Sequence, residues 1–305
     1  VKRALVTGSA GFVGRHMAAE LFDRGWEVHA ADIVNGHDAH EIFRGGGDAP
    51  GLFGGEVGRY DLVAHAAATA PHRAAIDGQP MNLALDLALD AAMFEWAVRT
   101  GQRRVLYLSS SAAYPIDLQD DLAAAKDLRE EMIRFDRYNI GAPDASYGWM
   151  KLTGERIAAA AAQAGLAVHV VRPFSGYGTD QGEQWPFGAF IARALRREDP
   201  FTIWGSGEQV RDWLHIDDLV AGALAVVDAD VREPVNLCTG RGTSMRELAA
   251  MVCAEVGYRP RFELREGAPA GVAYRVGDPA RMHRIFQPAV SIEDGVRRAL
   301  ASAYR

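Results

Sequence analysis

Cysteine is scarce in this 305-residue chain, which has only Cys238 and Cys253. One pair cannot staple a chain of this size into a disulfide framework, and the two stand apart without the spacing of a metal site. Both read as buried apolar residues, and no metal is expected. Long hydrophobic runs are missing as well. No apolar stretch suffices for a bilayer-spanning helix, and Val1-Lys2-Arg3 leads straight into a strand rather than a signal sequence, so a cytoplasmic protein with no membrane partner is expected. Nor is there a surplus of positive charge. With 33 Lys and Arg against 40 Asp and Glu, the formal net charge of −7 argues against a nucleic acid or other polyanion spread over the surface, while leaving room for a local basic pocket for a diphosphate. Internal repeats and low-complexity tails are absent too. What is present, 49% hydrophobic and 24% charged residues, is the composition of a globular protein with a real core.

Apolar runs at Ala4 to Thr7, Glu27 to Ala31, Leu62 to Ala66, Val105 to Ser109 and Val168 to Val171 read as buried strands, with helical patterns between them. A parallel crossover needs a connection of helix length, so the alternation predicts an α/β fold, a Rossmann-like doubly wound parallel sheet with helices on both faces. After Pro173 the character changes, with turns such as Ser175-Gly176-Tyr177-Gly178 and Trp204-Gly205-Ser206-Gly207 separating shorter elements. We therefore expect a nucleotide-binding domain over 1–173, to which Val235-Asn236-Leu237 returns as a strand, and a smaller C-terminal substrate-binding lobe over 174–305. Gly45 to Gly58 has no periodicity and reads as a loop. Two alanine-rich helical stretches, 83–100 and 147–164, can approach a neighbour closely, which makes them candidates for a homodimer interface as well as for packing on their own sheet.

Gly8, Gly11 and Gly14 close the first apolar run and open a helical stretch. A strand that turns sharply into a helix aims the first helical N–H groups at one point, where a pyrophosphate can sit against the positive end of the helix dipole. The spacing Gly-x-x-Gly-x-x-Gly is a variant of the commonest dinucleotide turn. Asp32 ends the second apolar run about 20 residues further on, where an acid accepts hydrogen bonds from an adenosine ribose and repels a 2′-phosphate, pointing to NAD rather than NADP. The alternative is an ordinary turn with Asp32 as a strand cap.

Tyr147 and Lys151 lie four residues apart, on one face of a helix, so the ammonium can favour the phenolate and bring the tyrosine within range of acid–base work. Ser109-Ser110-Ser111 directly follow the strand around Val105, and hydroxyls beyond the carboxyl end of such a strand face the ligand crevice. Turn-forming and capping roles account equally well for one or two of them.

On these residues, and on Thr7 to Gly14, Asp61 to Ala68, Leu108 to Tyr114 and Arg211 to Asp218, the chain resembles the NAD-dependent epimerase/dehydratase family, extended short-chain dehydrogenases/reductases that act on nucleotide sugars. The resemblance implies Ser110, Tyr147 and Lys151 as the catalytic set, with Ser111 as a second candidate partner. It implies NAD contacts by Gly8, Gly11, Phe12, Val13, Gly14, Asp32, Ala66, Ala67, Ala68, Tyr147, Lys151 and Pro173, with Arg172 beside the nicotinamide and Asn82 near the active-site strand. For the substrate, a nucleotide-diphosphate sugar, it implies Ser175 and Arg211, whose guanidinium suits a diphosphate; pairing of Arg211 with Asp212 or Asp217 is the plainer use. Trp204 and Phe187 could stack on a base or simply pack. Tyr114-Pro115 resembles the branch containing GDP-mannose 3,5-epimerase and GDP-fucose synthase.

A dehydratase of this family needs an Asp-Glu pair where this chain has Ser111-Ala112. The remaining Ser, Tyr and Lys suit a 4-epimerase working through a 4-keto sugar. A 4,6-dehydratase using Glu183 or His72 with Arg73, a 4-ketoreductase, or a non-catalytic NAD-binding redox sensor are the alternatives.

Overall fold

The structure, a computed structural model, describes residues 1–44, 59–68, 81–136 and 140–303. The Gly45 to Gly58 stretch and His72 with Arg73 lie outside those residues. In chain order the first elements are β1 (Arg3–Thr7), α1 (Phe12–Asp23), β2 (Glu27–Ala31), α2 (Ala39–Arg44), β3 (Leu62–His65), α3 (Asn82–Arg99), β4 (Arg104–Leu108), α4 (Ala145–Gln163) and β5 (Ala167–Pro173). Then come β6 (Ser175–Tyr177), α5 (Pro186–Leu195), β7 (Phe201–Trp204), β8 (Val210–His215), α6 (Ile216–Asp228) and β9 (Val235–Leu237). The last are β10 (Gly242–Ser244), α7 (Met245–Val256), β11 (Phe262–Arg265), β12 (Tyr274–Arg275) and α8 (Ile292–Ala303).

Six parallel strands form the central sheet in the order β2-β1-β3-β4-β5-β9. Successive side chains of a strand point to opposite faces, and the two cores follow that alternation. Ala4, Val6, Leu62, Ala64, Leu106, Leu108 and Val171 pack under α1 and α6. Leu5, Val63, Val105, Tyr107, Val168 and Val170 pack under α2, α3 and α4. The fold is thus the doubly wound α/β class, because strands buried on both faces need the apolar runs that mark them in the sequence.

A second group of strands centres on β8, which pairs in parallel with β6 and β12 and antiparallel with β10, while β7 and β11 form a separate parallel pair. α5, α7 and α8 cover it around Phe187, Phe190, Phe201 and Trp213. Local chemistry sets the ends of α7: the Ser244 hydroxyl and the Glu247 carboxylate each accept the other's N–H, and Gly257 closes the helix at a φ of 71°. Cys238 and Cys253 are both buried free thiols. No helix among the described residues is long and apolar enough to cross a membrane.

α3 and α4 run side by side over β4, and Gly154 is what lets them approach. A Cβ there would collide with the Tyr107 hydroxyl and stand 2.7 Å from Asp90 Oδ2. Gly154→Ala is therefore expected to destabilise the fold by about 1–3 kcal/mol through overpacking, despite alanine's better helix propensity. Urea unfolding of the variant checks this; unchanged or raised stability would contradict the packing described.

Candidate active site

All six strands of the central sheet are parallel, so their carboxyl ends share one edge, and the candidate residues gather there. After Thr7 the chain turns at Gly8 with a φ of 69°, a conformation that glycine adopts without strain. A Cβ on Gly8 would stand 2.6 Å from the Ala67 backbone, and one on Gly14 would strike the Gly8 carbonyl. The turn, the start of α1 and the Ala66-Ala67 backbone therefore touch main chain to main chain. Gly11 caps α1 without a side-chain bond, which leaves the N–H groups of Phe12, Val13 and Gly14 at the positive end of the helix. Asp32, just beyond β2, accepts the Ala10 N–H with one carboxylate oxygen and the Val34 N–H with the other, each at 3.0 Å. It pins the glycine turn to β2.

Tyr147, Lys151 and Glu155 share one face of α4. The Lys151 ammonium lies 5.8 Å from the Tyr147 ring centroid and 5.3 Å from that of Tyr107 on β4. Lys151 is buried, whereas Tyr147 keeps part of its surface open. The three serines part ways. Ser109 is buried and donates to Glu155 at 2.5 Å, Ser111 is buried in a short turn, and Ser110 stays partly open with its Oγ accepting the Ala112 N–H at 3.1 Å. Only Ser110 combines an open surface with a hydroxyl proton still to give. Gly148 brings α4 against this turn, since a Cβ there would meet the Ala112 carbonyl.

Glu155 is the residue that sequence reasoning missed. Its carboxylate takes the Arg172 guanidinium in a two-pronged pair at 2.8 and 2.7 Å, both side chains buried. Arg172 also donates to the Tyr114 hydroxyl and the Glu130 carbonyl, each at 3.1 Å, and Tyr114 donates to Asn236 on β9 at 2.7 Å. Burial works against the guanidinium's charge, yet the Glu155 carboxylate and the Tyr114 oxygen hold it more basic than usual. The expectation that Arg172 borders the nicotinamide is corrected here: its side chain is committed to the interior, and Pro173 is the half-buried residue at the end of β5. The signal for Glu155 was its spacing, one further helical step beyond Tyr147 and Lys151.

A second buried chain runs from Thr7 Oγ1 to His65 Nδ1 at 2.8 Å, from His65 Nε2 to Asp90 at 3.0 Å, and from the Tyr107 hydroxyl to Asp90 at 2.5 Å. Burial pushes the Asp90 carboxyl upward, but the His65 bond, the Lys151 ammonium and the Tyr107 hydroxyl outweigh it and hold the group below the ordinary carboxylate range.

On β8, Arg211 is anchored by the carbonyls of Val210 at 2.8 Å and Ala270 at 3.1 Å. The two acids that could have paired with it are engaged elsewhere. Asp212 accepts from the Thr239 N–H and hydroxyl and from the Gly240 N–H at 2.7–2.9 Å, and Asp217 lies by His215 and Arg298 at 3.4 and 3.5 Å. Arg275 on β12, also missed by the sequence reading, stands in register beside Arg211 and donates to Gln119 and Asp144. Ser175 lies alongside Trp213 in β6. Phe187 is fully buried with its ring 4.5 Å from that of Tyr177, so it packs and does not stack on a base, while Trp204 is 44% exposed. Glu183 is tied to Arg196 at the surface, and Asn82 opens α3.

Residues 4–238 match the NAD dependent epimerase/dehydratase family. The chain belongs to that family. Similar to it is the dTDP-4-dehydro-6-deoxy-D-allose reductase of a Streptomyces species, 29% identical over 93% of this chain and 90% of the relative. GDP-mannose 3,5-epimerase 1 of Oryza sativa subsp. indica is 28% identical over 97% and 80% of the two chains. Among solved structures, the UDP-glucuronic acid 4-epimerase of Bacillus cereus, in complex with UDP-glucuronic acid and NAD, superposes with a TM-score of 0.78 at 20% identity over 99% of this chain and 100% of that one. That likeness shows the fold.

NAD is the cofactor of this family, and the residues present fit it. The Gly8 and Gly14 cradle is one that any Cβ would fill, the free amides of α1 suit a pyrophosphate, and Asp32 keeps lone pairs at the mouth for a ribose. Asp32→Ala is expected to weaken NAD by about tenfold, roughly the worth of a charged hydrogen bond, and NADP by less. Losing the Ala10 anchor harms both cofactors, while only NADP is relieved of repulsion. Equal losses in a binding titration would remove the basis for the preference.

Proposed function

We propose that the protein is an NAD-dependent nucleotide-sugar 4-epimerase, with Ser110, Tyr147 and Lys151 as its catalytic residues. The observation that carries this reading is the site's inventory. A partly open tyrosine stands beside a buried ammonium, on a helix that packs against the turn carrying the partly open Ser110, while Ser111 and Ala112, where elimination would need carboxylates, are buried and uncharged. Tyr147 takes the proton of the sugar's C4 hydroxyl and returns it after the ring has turned. Lys151 favours the phenolate through its charge, and Ser110 donates a hydrogen bond to the same oxygen. Bound NAD supplies the hydride exchange at C4. Gly8, Gly11, Phe12, Val13, Gly14, Asp32, Ala66, Ala67, Ala68 and Pro173 would hold it, and Ser175 and Arg211 would hold the nucleotide sugar.

A 4-ketoreductase is the second reading, favoured by the Streptomyces relative, which is named for reduction of a 4-keto sugar. The two differ in stoichiometry. An epimerase interconverts nucleotide sugars with no net use of NADH, and a reductase consumes one NADH per sugar. Tyr147→Phe is expected to lower turnover by about 10²–10⁴-fold while still binding NAD. Retained turnover would refute the assignment of Tyr147, and no conversion of any UDP, dTDP or GDP sugar by the unaltered protein would favour a redox sensor.

We also propose a homodimer through the outer faces of α3 and α4, where Leu85, Val98 and Trp149 are exposed at 57%, 38% and 44%. Leu85→Glu with Trp149→Glu is expected to halve the mass measured by light scattering. A mass unaltered by that pair would refute this interface.

A further inference from the structure

Asp90 on α3 is 1% exposed, and its two oxygens are taken by His65 from β3 and by the Tyr107 hydroxyl from β4. Tyr107 links it to the catalytic helix. The face of its ring carries the Lys151 ammonium at 5.3 Å while its hydroxyl donates a hydrogen bond to Asp90, in space that Gly154 leaves open. A phenol whose proton is shared with a carboxylate is richer in electron density, which makes its face a better seat for a cation. His65 stacks on the same ring, with centroids 6.3 Å apart at 17°, and passes its other nitrogen to Thr7, directly before Gly8.

The titratable groups around Asp90 are His65 on β3, Tyr107 on β4, Lys151 with Tyr147 and Glu155 on α4, and buried Asp86 one turn earlier on α3. Glu155 already has its cation in Arg172. Asp90 is a buried carboxylate with no guanidinium of its own among the described residues, and its charge interacts with the Lys151 ammonium.

We propose that Asp90, acting through Tyr107, is a positioning residue that holds Lys151 charged beside Tyr147 and sets the pH at which Tyr147 works. The inference rests on Tyr147 and Lys151 being the acid–base pair. A buried negative charge makes an ammonium harder to deprotonate and a phenol harder to ionise, so it moves both titrations to higher pH.

Asp90→Asn removes the charge and keeps the size. Both limbs of its pH–rate profile are expected to move to lower pH by roughly one unit, the size of one buried charge's effect on its neighbours in a partly screened interior. In protein free of NAD, the ultraviolet tyrosinate signal that Tyr147→Phe abolishes should appear at a correspondingly lower pH. A lowered rate with limbs and tyrosinate midpoint unmoved would reduce Asp90 to a packing role and overturn the proposal. If Asp90→Asn does not fold, Asp90→Leu with Tyr107→Phe and His65→Phe removes the carboxylate with both its hydrogen-bond partners and is read in the same two ways, a downward shift supporting the proposal and an unmoved midpoint overturning it. The two levels of failure separate cleanly. Turnover retained in Tyr147→Phe refutes the acid–base pair itself, whereas an inactive Tyr147→Phe with an unmoved Asp90→Asn titration refutes only the role of Asp90.

Discussion

The ion pair between Glu155 and Arg172 fixes α4 to the sheet, and the placement of Tyr147 and Lys151 against the end of β4 follows from it. Taking two such charges out of water costs several kcal/mol each, and the attraction between them offsets that only when the geometry is good and the remaining hydrogen-bonding positions are filled. Here they are filled: Ser109 adds a third bond to Glu155, and Arg172 reaches Tyr114 and the Glu130 carbonyl. Those partners come from the end of β4, the turn after it and the segment leading to α4, with Arg172 itself on β5. One buried pair thus ties the helix carrying Tyr147 and Lys151 to the strand ends carrying Ser110 and Pro173.

A second constraint acts from the other side of the crevice. Main-chain contact among Gly8, Gly14 and Ala67 leaves no volume for side chains, so the distance from the glycine turn to the segment after β3 is set by the backbone alone. Asp32 adds a lateral tie through the Ala10 amide. A rigid floor on one side and a salt-bridged helix on the other give Tyr147 and Lys151 a fixed relation to the glycine turn, the relation that the proposed proton and hydride movement at a single carbon would require.

The doubly wound sheet is legible in the sequence because its signals are local. Runs such as Ala4 to Thr7 and Val168 to Val171 declare strands buried on both faces, and the glycine turn sits between a strand and a helix. The four-residue step from Tyr147 to Lys151 likewise fixes a shared helix face before any coordinates are known. Glu155 lies on the same stripe, but a further carboxylate on a helix face reads as solvated until its partner is seen. That partner, Arg172, is supplied by the next strand. Asp90 reaches His65 and Tyr107 from two other strands, and Arg275 meets Arg211 only because β12 returns beside β8. No periodicity announces such meetings, since they depend on which strands become neighbours. Arg172 shows the converse: a resemblance places the residue beside the crevice, and only packing reveals that its side chain turns inward.

α4 therefore lies between two buried carboxylates that are satisfied in different ways. Glu155 faces a guanidinium in fixed, two-pronged contact, a pair whose charges largely offset each other. Asp90 is held by single hydrogen bonds from Tyr107 and His65, one to each oxygen, and no guanidinium among the described residues grips both. Lys151, whose ammonium rests over the Tyr107 phenol, lies within reach of the Asp90 charge. The first carboxylate fixes where the helix stands and the second acts on the charge it carries, so a change at Glu155 should disturb geometry while a change at Asp90 should disturb titration.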